Sequence, residues 1–218
     1  MLMRNLKLVA LSSLGWRAAR CYSPYQIGPF YLQVSSFTNS SFSGYIKTCF
    51  TGVPGTAGLC FVEGSLPTDD GGRGSPNYFF YNTTTSGVLT SGEISSLYPG
   101  PYVPLPGTGP FVMSLTAPTA GSNIATLNVA GGSTYRLIVG FDQAHMMYRV
   151  GGDESRYTPS QPSTGASPPN LDIAYYDWLV CWMYYQKLYS PFLTWLDGHE
   201  RVPTNPTCVG VHVSMVEV

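Results

Sequence analysis

Short runs of β-branched and aromatic residues recur along the chain, bounded by clusters of Gly, Pro, Asn and Ser. That is the pattern of strands separated by turns. "GPFYLQVSSF" opens the body with one such run. "GYIKTCF" and "GLCFVEG" flank a Gly-rich loop as the two arms of a hairpin would, and "NYFFYNT" follows a glycine-rich turn, "DDGGRG". "GPFVMSLTA" and "NIATLNVAGG" alternate in part with period two. "STYRLIVGFD" and "HMMYRVGG" form a hairpin joined near Asp142 to His145. "CVGVHVSMVEV" ends the chain with Val209, Val211, Val213 and Met215 on one face. Helical periodicity of useful length is missing from residues 23–218. The pattern predicts an all-β fold, an antiparallel β-sandwich or barrel with long Pro/Gly-rich loops at residues 98–110 and 151–171.

The densest stretch is "AYYDWLVCWMYYQKLYSPFLTWLDG", from Ala174 to Gly198. Asp177, Gln186, Lys187 and Pro191 interrupt it, so it lacks the roughly 18 unbroken apolar residues of a membrane span. It divides instead into two strands. Trp178, Val180, Trp182 and Tyr184 share one face of the first; Leu179, Cys181, Met183 and Tyr185 share the other. Both faces are apolar, which predicts a central strand covered on both sides, with Trp182 in the core. "LYSPF" reads as the turn and "FLTWLDG" as the second strand. Tyr185, Tyr189 and Trp195, toward the end of the aromatic strand and beyond its turn, are the candidate ligand contacts.

Composition narrows the class. Only 11% of the residues are charged and the formal net charge is −1, which leaves no basic stripe for nucleic acid. Four of the eleven basic residues, Arg4, Lys7, Arg17 and Arg20, fall in the first twenty positions, and the first acid is Glu63. Residues 1–22 thus combine a basic start with a short apolar run, as a secretory signal does. The same segment, with Arg and Ser and no acids, also suits a mitochondrial presequence. A cleaved targeting segment at 1–22 and a single all-β domain at 23–218 follow as the expected organisation.

Cleavage near Tyr22 removes Cys21 and leaves Cys49, Cys60, Cys181 and Cys208, an even set that permits three pairings. We take the sequence neighbours as partners, each closed loop contributing roughly 3 kcal/mol. The sequons "NSS" at Asn39 and "NTT" at Asn82 are candidate glycosylation sites. These features point to an extracellular or wall location.

The ordered motifs "PFYLQVSSFTNSSFSGYIKTCFTGVPGTAGLCF", "DWLVC", "LTWLDG" and "NPTCVGVHVSMVEV" resemble a group of small secreted proteins of ascomycete fungi. That group is known only as a domain of unknown function. The resemblance covers residues 29–62 and 176–218. It implies secretion, paired cysteines at Cys49, Cys60, Cys181 and Cys208, and an all-β fold, and it implies no reaction.

Candidate chemistry is sparse. His145 belongs to a hairpin turn, His199 to the loop "DGHER" with Asp197, and His212 to a strand. "DDGGRG" lacks the later Glu of a calcium loop. The chain shows no nucleophile elbow, zinc-ligand spacing or phosphate loop, so catalytic, metal and cofactor sites are all assigned as none. The expectation is a secreted or wall-associated, non-catalytic protein whose partner is a cell-wall glycan or a host protein. The alternative is a secreted hydrolase acting on polysaccharide through a carboxylate pair distant in sequence.

Overall fold

In a computed structural model of the chain, residues 26–67, 76–84, 91–96, 111–118, 120–131, 136–150, 174–197 and 202–218 are described. The targeting segment, the loops at 98–110 and 151–171, the "DDGGRG" turn and His199 lie outside them.

Thirteen strands follow one another among the described residues, beginning with β1 (Gln26–Ser36), β2 (Ser43–Phe50), β3 (Thr56–Glu63), β4 (Phe79–Thr84), β5 (Ser91–Ser96), β6 (Phe111–Thr116) and β7 (Ile124–Ala130). Then come β8 (Ile138–Phe141), β9 (Met147–Val150), β10 (Ala174–Tyr175), β11 (Trp178–Tyr185), β12 (Leu188–Leu196) and β13 (Val209–Glu217). They pair into one antiparallel sheet in the order β10-β9-β8-β5-β4-β1-β13-β11-β12-β3-β7-β6, with β2 bridging β1 and β3. Ser95 and Ser96 of β5 pair with Val112 and Phe111 of β6, which brings the path back on itself. The arrangement is ring-like without being a barrel, as the all-β reading predicts.

The strands form where alternating apolar positions meet a common interior. Phe30, Leu32 and Val34 of β1, Ile46 of β2, Leu59 of β3, Ile94 of β5 and Val211 and Val213 of β13 are fully buried there. Val209 and Met215 pack against the same cluster. A second, smaller cluster, Ile124, Leu179, Cys181 and Leu196, lies on the other face of the β11 layer, with Met183 and Cys208 beside it.

The two predicted cysteine pairs form. Cys49 of β2 and Cys60 of β3 are bonded with their Cα atoms 5.8 Å apart. In register Cys49 faces Gly58 and Lys47 faces Cys60, so the bridge runs diagonally across the β2–β3 hairpin. Cys181 bonds Cys208 with Cα atoms 4.0 Å apart. Val180 pairs with Val209, so this bridge extends the β11–β13 register by one position.

Two features of the sequence reading are corrected. "LYSPF" is strand, not turn: the β11–β12 hairpin turns at Gln186 and Lys187, with Tyr185 paired to Leu188 and Gln186 at φ 55°. Pro191 fits inside β12 because β12 pairs there with β11 alone; β3 joins at Phe192 and β7 at Thr194. This is the edge-like setting a strand proline requires. β5, "SGEISS", is a strand the pattern gives no sign of. It has three neighbours, β4, β6 and β8, and buries Ser95 and Ser96. Gly92 is required there, since a Cβ would stand 2.2 Å from the Asn82 carbonyl oxygen.

Trp178 and Trp195 are the largest fully buried side chains and meet edge to face at 4.6 Å. Trp178 Nε1 donates to the Met147 carbonyl at 2.7 Å. Trp195→Ala should therefore cost about 3–5 kcal/mol, the usual loss for a buried large aromatic. A urea midpoint lowered accordingly checks this; an unchanged midpoint would remove Trp195 from the core.

Candidate functional site

The candidate site is the outward continuation of that core. On one face of the β11–β12 hairpin the facing pairs are Trp178–Trp195, Val180–Leu193, Trp182–Pro191 and Tyr184–Tyr189. The first two pairs are buried. The last two lie past the limit of the core: Trp182 is 48% exposed, Tyr184 67% and Tyr189 60%. Trp182 and Tyr189 lean together with ring centroids 5.6 Å apart at 35°. The face thus changes from core to open aromatic platform within one pair of residues.

Alternation placed Trp178, Val180, Trp182 and Tyr184 together on one face of β11, as the structure has them, but did not show where cover stops. Trp195, a candidate ligand contact, is fully buried. Trp182, assigned to the core, is half exposed. Tyr189, a candidate ligand contact, is exposed, and so is Tyr184, which was not among the candidates. Period two reveals which side chains share a face but not how far the opposing layer extends along it.

Tyr185 is on the opposite face and is partly buried. Its ring meets Phe192 edge to face at 5.8 Å, and its hydroxyl accepts from Asn128 Nδ2 at 3.2 Å. Asn128 also donates to Thr116 Oγ1 at 2.6 Å and accepts from Ser114 Oγ at 2.5 Å. Around the turn, Thr51 Oγ1 donates to Gln186 Oε1, and the Lys187 amide donates to the Thr51 carbonyl at 3.0 Å. These bonds fasten the hairpin tip to β6, β7 and the end of the β2–β3 hairpin. Tyr185 is therefore an anchor for the platform, not part of its open surface.

The other edge of the tip is held as well. β13 pairs with β11 only at Leu179 and Val180. Beyond that point Asn205 Nδ2 donates to the Trp182 carbonyl at 3.0 Å, and Thr207 Oγ1 lies 3.0 Å from the same oxygen. The Cys181–Cys208 bridge ties this segment to the strand from behind. Side-chain caps on one edge and Pro191 on the other blunt strand pairing here. What the tip offers a partner is its aromatic face.

At the foot of the platform, where Trp182 leaves the core, lies a cleft of about 260 Å³. Phe61, Phe42, Val180 and Pro191 line it with Trp182, and Glu63 and Thr207 supply its polar atoms. Phe42 and Phe61 stack at 4.8 Å and 10°.

Asp142 and His145 belong to the β8–β9 hairpin turn. Asp142 Oδ1 accepts from the Ala144 and Met146 amides at 2.9 Å, and Oδ2 accepts from the Tyr176 hydroxyl at 3.1 Å. Burial, with Asp142 adding to it, holds the Tyr148 and Tyr176 hydroxyls above the ordinary tyrosine range. His145 occupies the turn at φ 59°. Among the described residues no group of three or more His, Cys, Asp or Glu is placed to hold a metal. No helix among them is long and apolar enough to cross a membrane.

Of the sequons, Asn39 lies exposed in the turn between β1 and β2. Its Oδ1 accepts from the Ser41 amide at 3.0 Å and the Ser41 hydroxyl at 2.6 Å. Asn82 is half-buried within β4, between Gln26 and Glu93, and its Nδ2 donates to Ser95 Oγ at 3.4 Å.

No family model, no curated protein and no solved structure matches the chain.

His212 yields a pH prediction. Its ring meets Phe37 edge to face at 4.1 Å, and Nδ1 is buried without a hydrogen-bond partner. Burial pushes its pKa below the ordinary histidine value, outweighing the opposing pull of Asp142. The unfolded chain then binds the extra proton first, below about pH 6.5. Stability is full above that value and is lost as pH falls from there toward the folded pKa. Urea midpoints between pH 8 and 5 should fall on the acid side, with a shallower fall in His212→Gln; identical slopes would contradict this.

Proposed function

We propose that the protein is a secreted or wall-associated, non-catalytic binding module that holds a glycan on the face formed by Trp182, Tyr184 and Tyr189. One observation carries the reading: three large aromatic side chains, 48% to 67% exposed, stand side by side on a hairpin tip fixed from both flanks. Rings with an apolar body fit the C–H faces of pyranose units, and a pre-organised surface loses little entropy on binding. A tip with blunted edges favours recognition through side chains over strand addition. Two disulfides agree with an oxidising compartment. The resemblance to small secreted fungal proteins supports the cell wall as the source of the glycan.

Asn39 is the residue we assign to carry an attached sugar. Its Oδ1 is engaged by Ser41, which leaves Nδ2 toward solvent, whereas Asn82 Nδ2 donates within the sheet. Intact mass and glycopeptide mapping of the secreted protein should find Asn39 occupied in preference to Asn82; the reverse occupancy would contradict the assignment.

The function is tested by binding to a panel of polysaccharides. Trp182→Ala should abolish binding while shifting stability by about 1 kcal/mol or less, since its side chain is half in solvent. Turnover of any polysaccharide by the intact protein would contradict the non-catalytic reading. Binding unaffected by Trp182→Ala would move the site elsewhere.

A further inference from the structure

The cleft at the foot of the platform has a chemistry that the platform lacks. Trp182 and its ladder partner Pro191 line the cleft together with the stacked Phe42 and Phe61. Gly44 permits that stack, since a Cβ there would stand 2.6 Å from the Phe61 ring. Val180 forms part of the lining, and Glu63 is the one ionisable residue in it. Glu63 ends β3 and is exposed, and its carboxylate makes no hydrogen bond or ion pair with any described residue. The cleft is an aromatic slot with a single uncompensated negative charge.

That combination selects for an organic cation. Aromatic faces attract ammonium groups through the ring quadrupole, and a carboxylate adds a charge-assisted hydrogen bond. At about 260 Å³ the cleft lies below the roughly 300–1,000 Å³ of drug-sized pockets, so it suits one sugar ring. Trp182 belongs to both features, so a chain stacked over Tyr184 and Tyr189 would run directly into the cleft.

We propose that the cleft is a subsite for a hexosamine unit bearing a free amine, with the Glu63 carboxylate as counter-ion and the Trp182 and Phe61 rings as its walls. The proposal rests on the glycan-binding reading above and specifies its preferred substrate class: glycans rich in unacetylated amino sugar.

Calorimetric titration compares three β-1,4-linked hexamers: glucosamine, N-acetylglucosamine and glucose. The glucosamine hexamer should bind at least about fivefold more tightly than either neutral hexamer, the scale of one partly screened ion pair. Glu63→Gln should remove that preference, and so should raised salt. Because Glu63 is exposed, the variant should keep the parent melting temperature. Trp182→Ala should abolish binding of all three hexamers. Equal binding of the three, or a preference that survives Glu63→Gln, would overturn the subsite while leaving the glycan-binding reading intact. Displacement of the glucosamine hexamer by millimolar choline, with no retained selectivity for the sugar, would also overturn it. Failure of all three hexamers to bind would overturn both readings.

Discussion

The edge-to-face contact of Trp178 with Trp195, across the first pair of the β11–β12 ladder, sets the orientation of everything that follows along the hairpin. Strand side chains alternate, so placing this pair inward commits Val180, Leu193, Trp182, Pro191, Tyr184 and Tyr189 to the same face. A slip of one residue would turn Cys181 toward the interior and break its bond to Cys208. The Trp178 indole bond to the Met147 carbonyl joins the same pair to β9. Core formation and display of the platform are therefore one event: the inner half of the ladder supplies the energy, and the outer half inherits its geometry.

A projecting hairpin with exposed rings is normally mobile and prone to association. Here two sets of polar contacts restrain it. Asn128, Thr116 and Thr51 hold Tyr185 and Gln186 on one side. Asn205 and Thr207 hold the Trp182 carbonyl on the other, backed by the second disulfide. On the glycan-binding reading we propose, this restraint fixes the ring positions before a ligand arrives. The Glu63 carboxylate, without a partner among the described residues, lines the cleft with Trp182 and Phe61.

Most strands were legible because their apolar residues alternate or are β-branched, and the cysteine partners were legible because each flanks a hairpin or a strand entry. β5 was not, since its Ser and Gly residues are buried by three neighbouring strands and carry no hydrophobic signature. The turn at Gln186 and Lys187 was hidden by Pro191, which reads locally as a turn residue and is tolerated only because β12 has a single neighbour there. The platform was half legible. Its face could be read from alternation, but the exchange of roles between Trp182 and Trp195 depends on where the opposing layer ends. The aromatic residues beside Trp182 at that limit, Phe42 and Phe61, are distant in the chain from the hairpin.

The central claim is that one face of the β11–β12 hairpin is buried at its Trp178–Trp195 end and open at its Trp182–Tyr184–Tyr189 end. Hydroxyl-radical footprinting of the native protein, read by mass spectrometry at each residue, measures this directly. The account predicts rapid modification of Trp182, Tyr184 and Tyr189, with Trp178 and Trp195 protected until the protein unfolds. Rapid modification of Trp195 in the native state, or protection of Trp182 in the ligand-free protein, would contradict it.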